Sequence, residues 1–288
     1  MTGPRVVTGR APGKLIVLGE HAVVYGHRAV AAAVSRHTVV ELTAADGPTS
    51  LVEAPVDDAR LRQAIALALP ATGWVVRVRS NLPIGRGMGS SASLSIALLR
   101  AAAAARGERL STQDLHDQGF PLERVFHGNP SGVDHAVAAM GGAVVFRRGE
   151  PPRPLRFPPT SLVVLDSGTA GDTGAMVAAV AARRPAIDPL LDRLGALVEQ
   201  SLPTLGDPQA LGAAMNEAHA LLRQIGVSTD ALDDLVDLAR SCGSPGAKLA
   251  GAGGGGVVMA LTPGGSEPLL REARHRGIHA FECVLPEA

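Results

Sequence analysis

The residues best suited to chemistry lie in three glycine-rich segments and around two isolated carboxylates. The most informative is Leu82-Pro83-Ile84-Gly85-Arg86-Gly87-Met88-Gly89-Ser90-Ser91-Ala92-Ser93, which follows a strand-like run and opens a helix-like one. Glycines at alternate positions let the backbone turn sharply and present several N–H groups to one anion. Ser90 and Ser91 then fall in the first helical turn, where unpaired N–H groups and the positive end of the helix dipole face the same way. A serine hydroxyl there can also reach a metal that bridges two phosphates. The same spacing also suits a plain strand-to-helix turn capped by serine. It is not a Walker A loop, because no Gly-Lys-Ser/Thr follows the glycines, and protein-kinase catalytic signatures are missing from the chain.

In the second segment, Gly246 to Gly256, the residues Gly251, Gly253 and Gly256 satisfy G-x-G-x-x-G. A dinucleotide fingerprint must open a helix, whereas these glycines lead into Val257-Val258-Met259-Ala260-Leu261, a strand-like run. Something must therefore approach this backbone closely, either a ligand or another loop. The third segment carries Lys14 at the start of a buried-looking strand and Glu20-His21 at its end. Buried, these groups are costly unless partnered. A salt bridge accounts for Lys14 and Glu20, and a ligand site accounts for all three. Lys14 and Lys248 are the only lysines among 27 basic residues. In a chain that otherwise uses arginine, that points to places needing a compact ammonium. Phosphoryl transfer to an alcohol needs a carboxylate near the hydroxyl and an anionic ligand for Mg²⁺, and Asp134 and Glu123 are candidates for these two places. Taken singly, each also reads as a solvated charge.

Around these residues the pattern alternates strands and helices. Strands are expected at Val6 to Gly9, Leu15 to Leu18, Thr38 to Thr43 and Trp74 to Ser80. Helices are expected from Asp57 to Leu69, where apolar residues recur every four positions, and from Ser90 to Arg106, with Gly107 as the stop. A helix opens at Ser111 with Asp114 as capping-box partner, and Pro121 must kink or split it. Asn129 to Asp134 reads as a turn feeding a short helix that ends at Gly141-Gly142. Glu150 to Pro159 holds five prolines and reads as a connector. Beyond it come a strand at Leu162 to Leu165, helices between Asp172 and Ser241, the Val257 strand, a helix at Glu267 to Arg276 and a last strand at His279 to Val284. The expected domain boundary lies near Pro158, giving domains 1–158 and 159–288.

The 288 residues suffice for one large or two modest domains with a buried core, and 46% hydrophobic content excludes disorder. Zero net charge with unclustered basic residues argues against a nucleic-acid or membrane surface. Apolar runs such as Ala29 to Val34 are too short to span a bilayer, and no signal-peptide pattern opens the chain. With two cysteines at no metal-type spacing, a reduced, cytoplasmic setting is expected.

Together, Pro12 to Gly26, Pro83 to Ala92 and Lys248 to Gly256 resemble the three motifs of the GHMP kinases, in the expected order. Gly19 to Gly26 and His127 to Asp134 look specifically like the mevalonate kinases within that family. The resemblance implies an α+β, two-domain GHMP kinase fold, its N-terminal domain like ribosomal protein S5 domain 2 and its C-terminal domain ferredoxin-like. It implies ATP and Mg²⁺ as cofactors and mevalonate as acceptor. Phosphomevalonate, homoserine and a non-catalytic regulator on the same scaffold are the alternatives, and a homodimer is left open. By position, Asp134 faces the acceptor hydroxyl with Lys14 beside it, and Ser91 and Glu123 match the metal ligands. Gly85, Arg86, Gly87, Met88, Gly89, Ser90 and Ser91 form the phosphate loop. Glu20, His21 and Thr173 line the acceptor pocket, bordered by Gly251, Ala252 and Gly253. Arg86 and Met88 depart from the small residue and Leu of many relatives, and Ala250 from their Thr.

Overall fold

The computed structural model describes residues 4–127 and 132–285. The chain divides into two compact units that interleave in sequence. One comprises the chain up to Gly13, Arg36–Leu82 and Gly89–Gly141; the other comprises Lys14–Ser35, Pro83–Met88 and the chain from Gly142 onward. Residue 158 falls inside the second unit. Two long strands, β1 (Val6–Leu18) and β2 (Arg28–Pro48), contribute residues to both.

In the first unit, the later half of β2 pairs antiparallel with β4 (Thr72–Ser80), and β3 (Ser50–Glu53) pairs parallel with β4. Between β3 and β4 lies helix α1 (Ala59–Ala68), where the Asp58 carboxylate caps the Leu61 N–H at 2.9 Å. Alternation along the strands sends Val40, Leu42, Val76 and Val78 into one core. They meet Leu61 and Ile65 of α1 and Ile96 to Leu99 of α2 (Ser90–Arg106). Gly107 ends α2 in the left-handed conformation, at the expected residue. Gly9 of β1 must be glycine, because a Cβ there would lie 2.0 Å from the Ala97 carbonyl oxygen of α2.

Helix α3 (Thr112–His127) opens with the expected capping box. The Ser111 N–H donates to Asp114 Oδ2 at 3.0 Å, and the Asp114 N–H donates to Ser111 Oγ at 3.1 Å. Of the kink or split expected at Pro121, the split does not occur, and one helix runs through it. Burial of Leu115, Gly119, Leu122 and Glu123 outweighs the single backbone hydrogen bond that proline forfeits. Helix α4 (Val133–Met140) follows and ends at Gly141. Residues 129–131 of the turn expected before it lie outside the described residues.

In the second unit, the early half of β2 pairs with β5 (Ala143–Arg147), which pairs with β6 (Arg153–Leu155). The run Ala29–Val34, to which the sequence reading assigned no element, is strand although alanine is a weak strand former, because it is buried throughout. One expectation changes here. The proline-rich connector contains β6, a strand of three residues at the end of its pairing path, where Pro154 costs little. After β7 (Thr160–Asp166) come α5 (Thr173–Ala182), α6 (Asp188–Ser201), α7 (Pro208–Ile225) and α8 (Asp230–Ser241). Then follow β8 (Ala247–Ala250), β9 (Val257–Leu261), α9 (Glu267–His275) and β10 (Ala280–Leu285). The strands form an antiparallel sheet in the order β10-β7-β9-β8. That is the ferredoxin-like order, with α7, α8 and α9 packed on it. Among the described residues, no helix is long and apolar enough to cross a membrane.

Candidate active site

The candidate residues fall in both units, and each group has its own geometry. In the second unit, the end of β1 carries Lys14, Glu20 and His21, all buried. The Lys14 backbone N–H donates to the Met88 carbonyl at 3.0 Å and its ammonium to the Gly87 carbonyl at 3.2 Å. The strand start and the glycine loop are thereby stitched together. Glu20 pairs with Lys248 from β8, and the side chains are 1% and 0% exposed. The Lys14 charge also acts on Glu20. The Lys248 ammonium also donates to the Leu249 carbonyl at 2.7 Å, while Glu20 Oε2 is buried with no hydrogen-bond partner among the described residues. Burial pushes the Glu20 carboxyl up and the Lys248 ammonium down from their ordinary values; each charge opposes the other's shift.

His21 has φ 58°, the one positive φ outside glycine among the described residues. Such backbone persists only where its surroundings hold it. Here its Nε2–H donates to the Ala252 carbonyl at 2.8 Å, fixing it to the second glycine loop. Burial lowers its pKa, and that hydrogen bond partly offsets the effect.

The glycine requirement of Gly251 to Gly256 is met by other loops of the same unit. A Cβ on Gly253 would lie 2.1 Å from the Val227 carbonyl oxygen, and one on Gly87 would lie 2.8 Å from the Ala250 carbonyl oxygen. The Gly256 N–H donates to the Thr169 carbonyl at 2.7 Å, and the Ser167 N–H to the Gly256 carbonyl at 2.9 Å. Thus the loops 85–88, 166–171 and 251–256 are packed backbone to backbone. They enclose a small open hollow that Thr173, the first residue of α5, also lines. Of the residues expected from sequence, Arg86, Gly87, Thr173, Ala252 and Gly253 meet there. Arg86 neither points to solvent nor into open space. Its Nε lies 3.2 Å from Asp166 Oδ2, and Nη2 donates to the Gly168 carbonyl at 3.3 Å.

In the first unit, Gly89 is the N-cap of α2 at φ 68° and offers no capping side chain. The first-turn N–H groups, Ser90 and Ser91 included, therefore have no intrahelical acceptor. The Ser91 hydroxyl donates to Glu123 Oε1 at 2.9 Å and lies 3.0 Å from His127 Nε2. Glu123 is buried on α3. Asp134 lies half-buried in the first turn of α4. Its neighbour His135 is fully buried against His116 and Phe120, and burial is the main force pushing its pKa down to about 4.

Ser91 and Glu123 offer one hydroxyl and one carboxylate oxygen. This hard-oxygen pair suits Mg²⁺, which takes few protein ligands and fills its sphere with water and substrate phosphates. Among the described residues no cluster of three His, Cys, Asp or Glu side chains gathers as an all-protein cage. Asp166 and the pairing of Glu20 with Lys248 escaped the sequence reading. Only the retention of lysine at 248 hinted at the latter.

A loop of backbone donors, a helix start carrying serines and isolated carboxylates are the parts of a small-molecule kinase. The family profile described as GHMP kinases N terminal domain matches residues 59–142, and that described as GHMP kinases C terminal matches residues 194–279. A mevalonate kinase of Pyrococcus abyssi is 34% identical over 91% of this chain and 90% of its own. One of Aeropyrum pernix is 33% identical over 98% and 97%. The crystal structure of L. major mevalonate kinase in complex with R-mevalonate superposes with a TM-score of 0.88 at 27% identity, covering 100% of this chain and 97% of the other. The chain belongs to the GHMP kinases, in their mevalonate kinase branch, and is an ATP-dependent kinase.

Proposed function

We propose that this protein transfers the terminal phosphate of ATP to the 5-hydroxyl of mevalonate, giving 5-phosphomevalonate for isoprenoid synthesis. The observation that carries the reading is the similarity to curated mevalonate kinases along nearly the whole chain, at 34% identity in one case. Two features of this chain support it. His21 and Ala252, both assigned to the acceptor pocket, are joined by a hydrogen bond. Gly87 and Thr173 line one hollow, which sets a phosphate-loop residue beside an acceptor residue.

In the proposed mechanism, the phosphate loop Gly85 to Ser91 holds the ATP phosphates through backbone N–H groups and the α2 N-terminus. Ser91 and Glu123 would hold Mg²⁺, which supplies charge neutralisation between the phosphates. Asp134 orients the 5-hydroxyl and takes its proton as the oxygen attacks the γ-phosphorus and the bond to ADP breaks. Lys14 balances the charge that develops around that oxygen and the moving phosphoryl group. Glu20, His21, Thr173 and Gly251 to Gly253 shape the acceptor pocket. We further propose a cytoplasmic location and a division of the two family domains at residue 158, since the two matched segments lie on either side of it.

Kinetics of Asp134→Ala and Lys14→Arg test these roles. Asp134→Ala should lower kcat by about 10²- to 10⁴-fold with ATP binding nearly intact. Lys14→Arg keeps the charge but not the compact ammonium, and should also cut kcat. Full turnover by either variant removes that residue from the chemical step.

A further inference from the structure

Arg86 lies within the proposed phosphate loop, and the side-chain contacts of its guanidinium lead to one turn. Nε pairs with Asp166 Oδ2 at 3.2 Å, and Nη2 donates to the Gly168 carbonyl at 3.3 Å. Asp166 Oδ1 in turn accepts the Gly168 N–H at 2.8 Å, so one carboxylate closes the turn and grips the guanidinium together. Asp166 ends β7, and its own N–H donates to the His279 carbonyl at 2.9 Å, which anchors the turn to the sheet. The pair is well sheltered, with side chains 21% and 12% exposed. Arg86 Nη1 is buried and has no hydrogen-bond partner among the described residues. On the backbone side, the Arg86 carbonyl oxygen lies 3.0 Å from where a Gly256 Cβ would be, so the loop rests directly on the second glycine loop.

A loop of glycines gains donors for phosphate at the cost of conformational freedom, and its N–H groups bind an anion well only if the loop is set beforehand. We propose that Arg86 is a positioning residue that presets the phosphate loop by gripping Asp166, making Asp166 a further residue of the reaction. This rests on the reading of Gly85 to Ser91 as the ATP loop. The extended guanidinium reaches two groups at once, Nε pairing with the Asp166 charge and Nη2 donating to the Gly168 carbonyl, which the single compact ammonium of lysine does not reproduce. The fixed turn runs on through Asp172, the cap of α5, to Thr173. Arg86 thereby also ties the ATP loop to the segment bearing a proposed acceptor residue.

The test is a double-mutant cycle on the full chain, with Arg86→Ala, Asp166→Asn and the pair, plus Arg86→Lys. Melting temperature, KM for ATP, KM for mevalonate and kcat are read for each. Each single variant should raise the ATP KM by between about tenfold and a hundredfold, as expected for a misplaced binding loop, with mevalonate KM changed much less. The double variant should be no worse than the worse single, and Arg86→Lys should resemble Arg86→Ala. The proposal is overturned if Asp166→Asn keeps the wild-type ATP KM while Arg86→Ala loses it, since Arg86 then acts on phosphate alone. It is equally overturned if the two effects add, or if both KM values rise together. Should Asp166→Asn fail to fold, Asp166→Glu serves, with ATP KM expected between those of wild type and Arg86→Ala; a wild-type value there contradicts the proposal. Failure of the ATP-loop reading looks different: Gly87→Val, which alters the loop itself, then keeps the wild-type ATP KM, as do all the Arg86 and Asp166 variants.

Discussion

Replacing Lys248 by methionine removes an ammonium that is 0% exposed and leaves the Glu20 carboxylate, 1% exposed, without its counter-charge. The Lys248 ammonium also satisfies the Leu249 carbonyl at 2.7 Å, so one backbone acceptor is stranded as well. Breaking a buried pair from one side costs about 3–5 kcal/mol, because a buried charge is left uncompensated. Against a typical total of about 5–15 kcal/mol, this consumes a large share of the stability. At roughly 2–4 °C per kcal/mol for a chain of this size, the melting temperature should fall by on the order of 10 °C. Removing both charges is different, since two neutral groups of similar shape carry no ionic desolvation cost. The double variant Glu20→Gln/Lys248→Met should therefore melt above Lys248→Met alone. Thermal denaturation of wild type, both single variants and the double variant reads this directly. A fall of under about 1 kcal/mol for Lys248→Met, or a double variant equal to the sum of the singles, would refute the reasoning.

Gly87→Val sets a side chain on backbone at φ 81° with its Cβ 2.8 Å from the Ala250 carbonyl oxygen. Strain of about 1–3 kcal/mol is expected in the loop, and the ATP KM should rise by roughly tenfold or more while mevalonate binding changes less. Glu123→Gln should raise the Mg²⁺ concentration needed for half-maximal rate and leave the melting temperature within a few degrees; an unchanged Mg²⁺ titration removes Glu123 from the metal. His135 is held neutral in the folded protein, with its pKa pushed down to about 4. Its folded pKa lies below its unfolded one, so the unfolded state binds the extra proton first. The stability from this group is full above about pH 6.5 and is lost progressively as pH falls towards 4, by up to about 3 kcal/mol. Urea denaturation of His135→Phe between pH 4 and 7 should show a flatter profile than wild type, and an unchanged slope contradicts the assignment.

How much of this was legible in the sequence depended on local chemistry. Helix α2 runs Ser90–Arg106 as expected, because glycine precedes it, Gly107 stops it and alanine favours it throughout. The capping box at Ser111 and Asp114 was equally local. The strand through Ala29–Val34 was not legible, because its alanines carry no strand preference and burial by distant elements decides the matter. Pro121 does not split α3, since packing of that helix keeps it continuous. Among the candidate site residues, spacing alone singled out the glycines and serines of 85–91 and the glycines of 251–256, and the roles proposed for them came from the family resemblance. The pairing of Glu20 with Lys248, 228 residues apart, could not, and nor could the grip of Asp166 on Arg86. Ion pairs between distant segments leave no periodic trace. The rarity of lysine in an arginine-rich chain was the one signal, and it marked Lys248 without naming its partner.

The central claim is phosphoryl transfer from ATP to mevalonate, and the most direct measurement is coupled ADP release by the purified chain over a panel of acceptors. Mevalonate, phosphomevalonate, homoserine and galactose are compared at equal concentration, with the phosphorylated product identified by ³¹P NMR. Mevalonate should give ADP release at a kcat/KM at least about 10³-fold above every other acceptor, in keeping with a site whose polar groups are matched to one substrate. The product should carry a single new phosphomonoester on the 5-oxygen. Faster turnover of phosphomevalonate or homoserine, or no ADP release above the acceptor-free rate with any of them, would contradict the account.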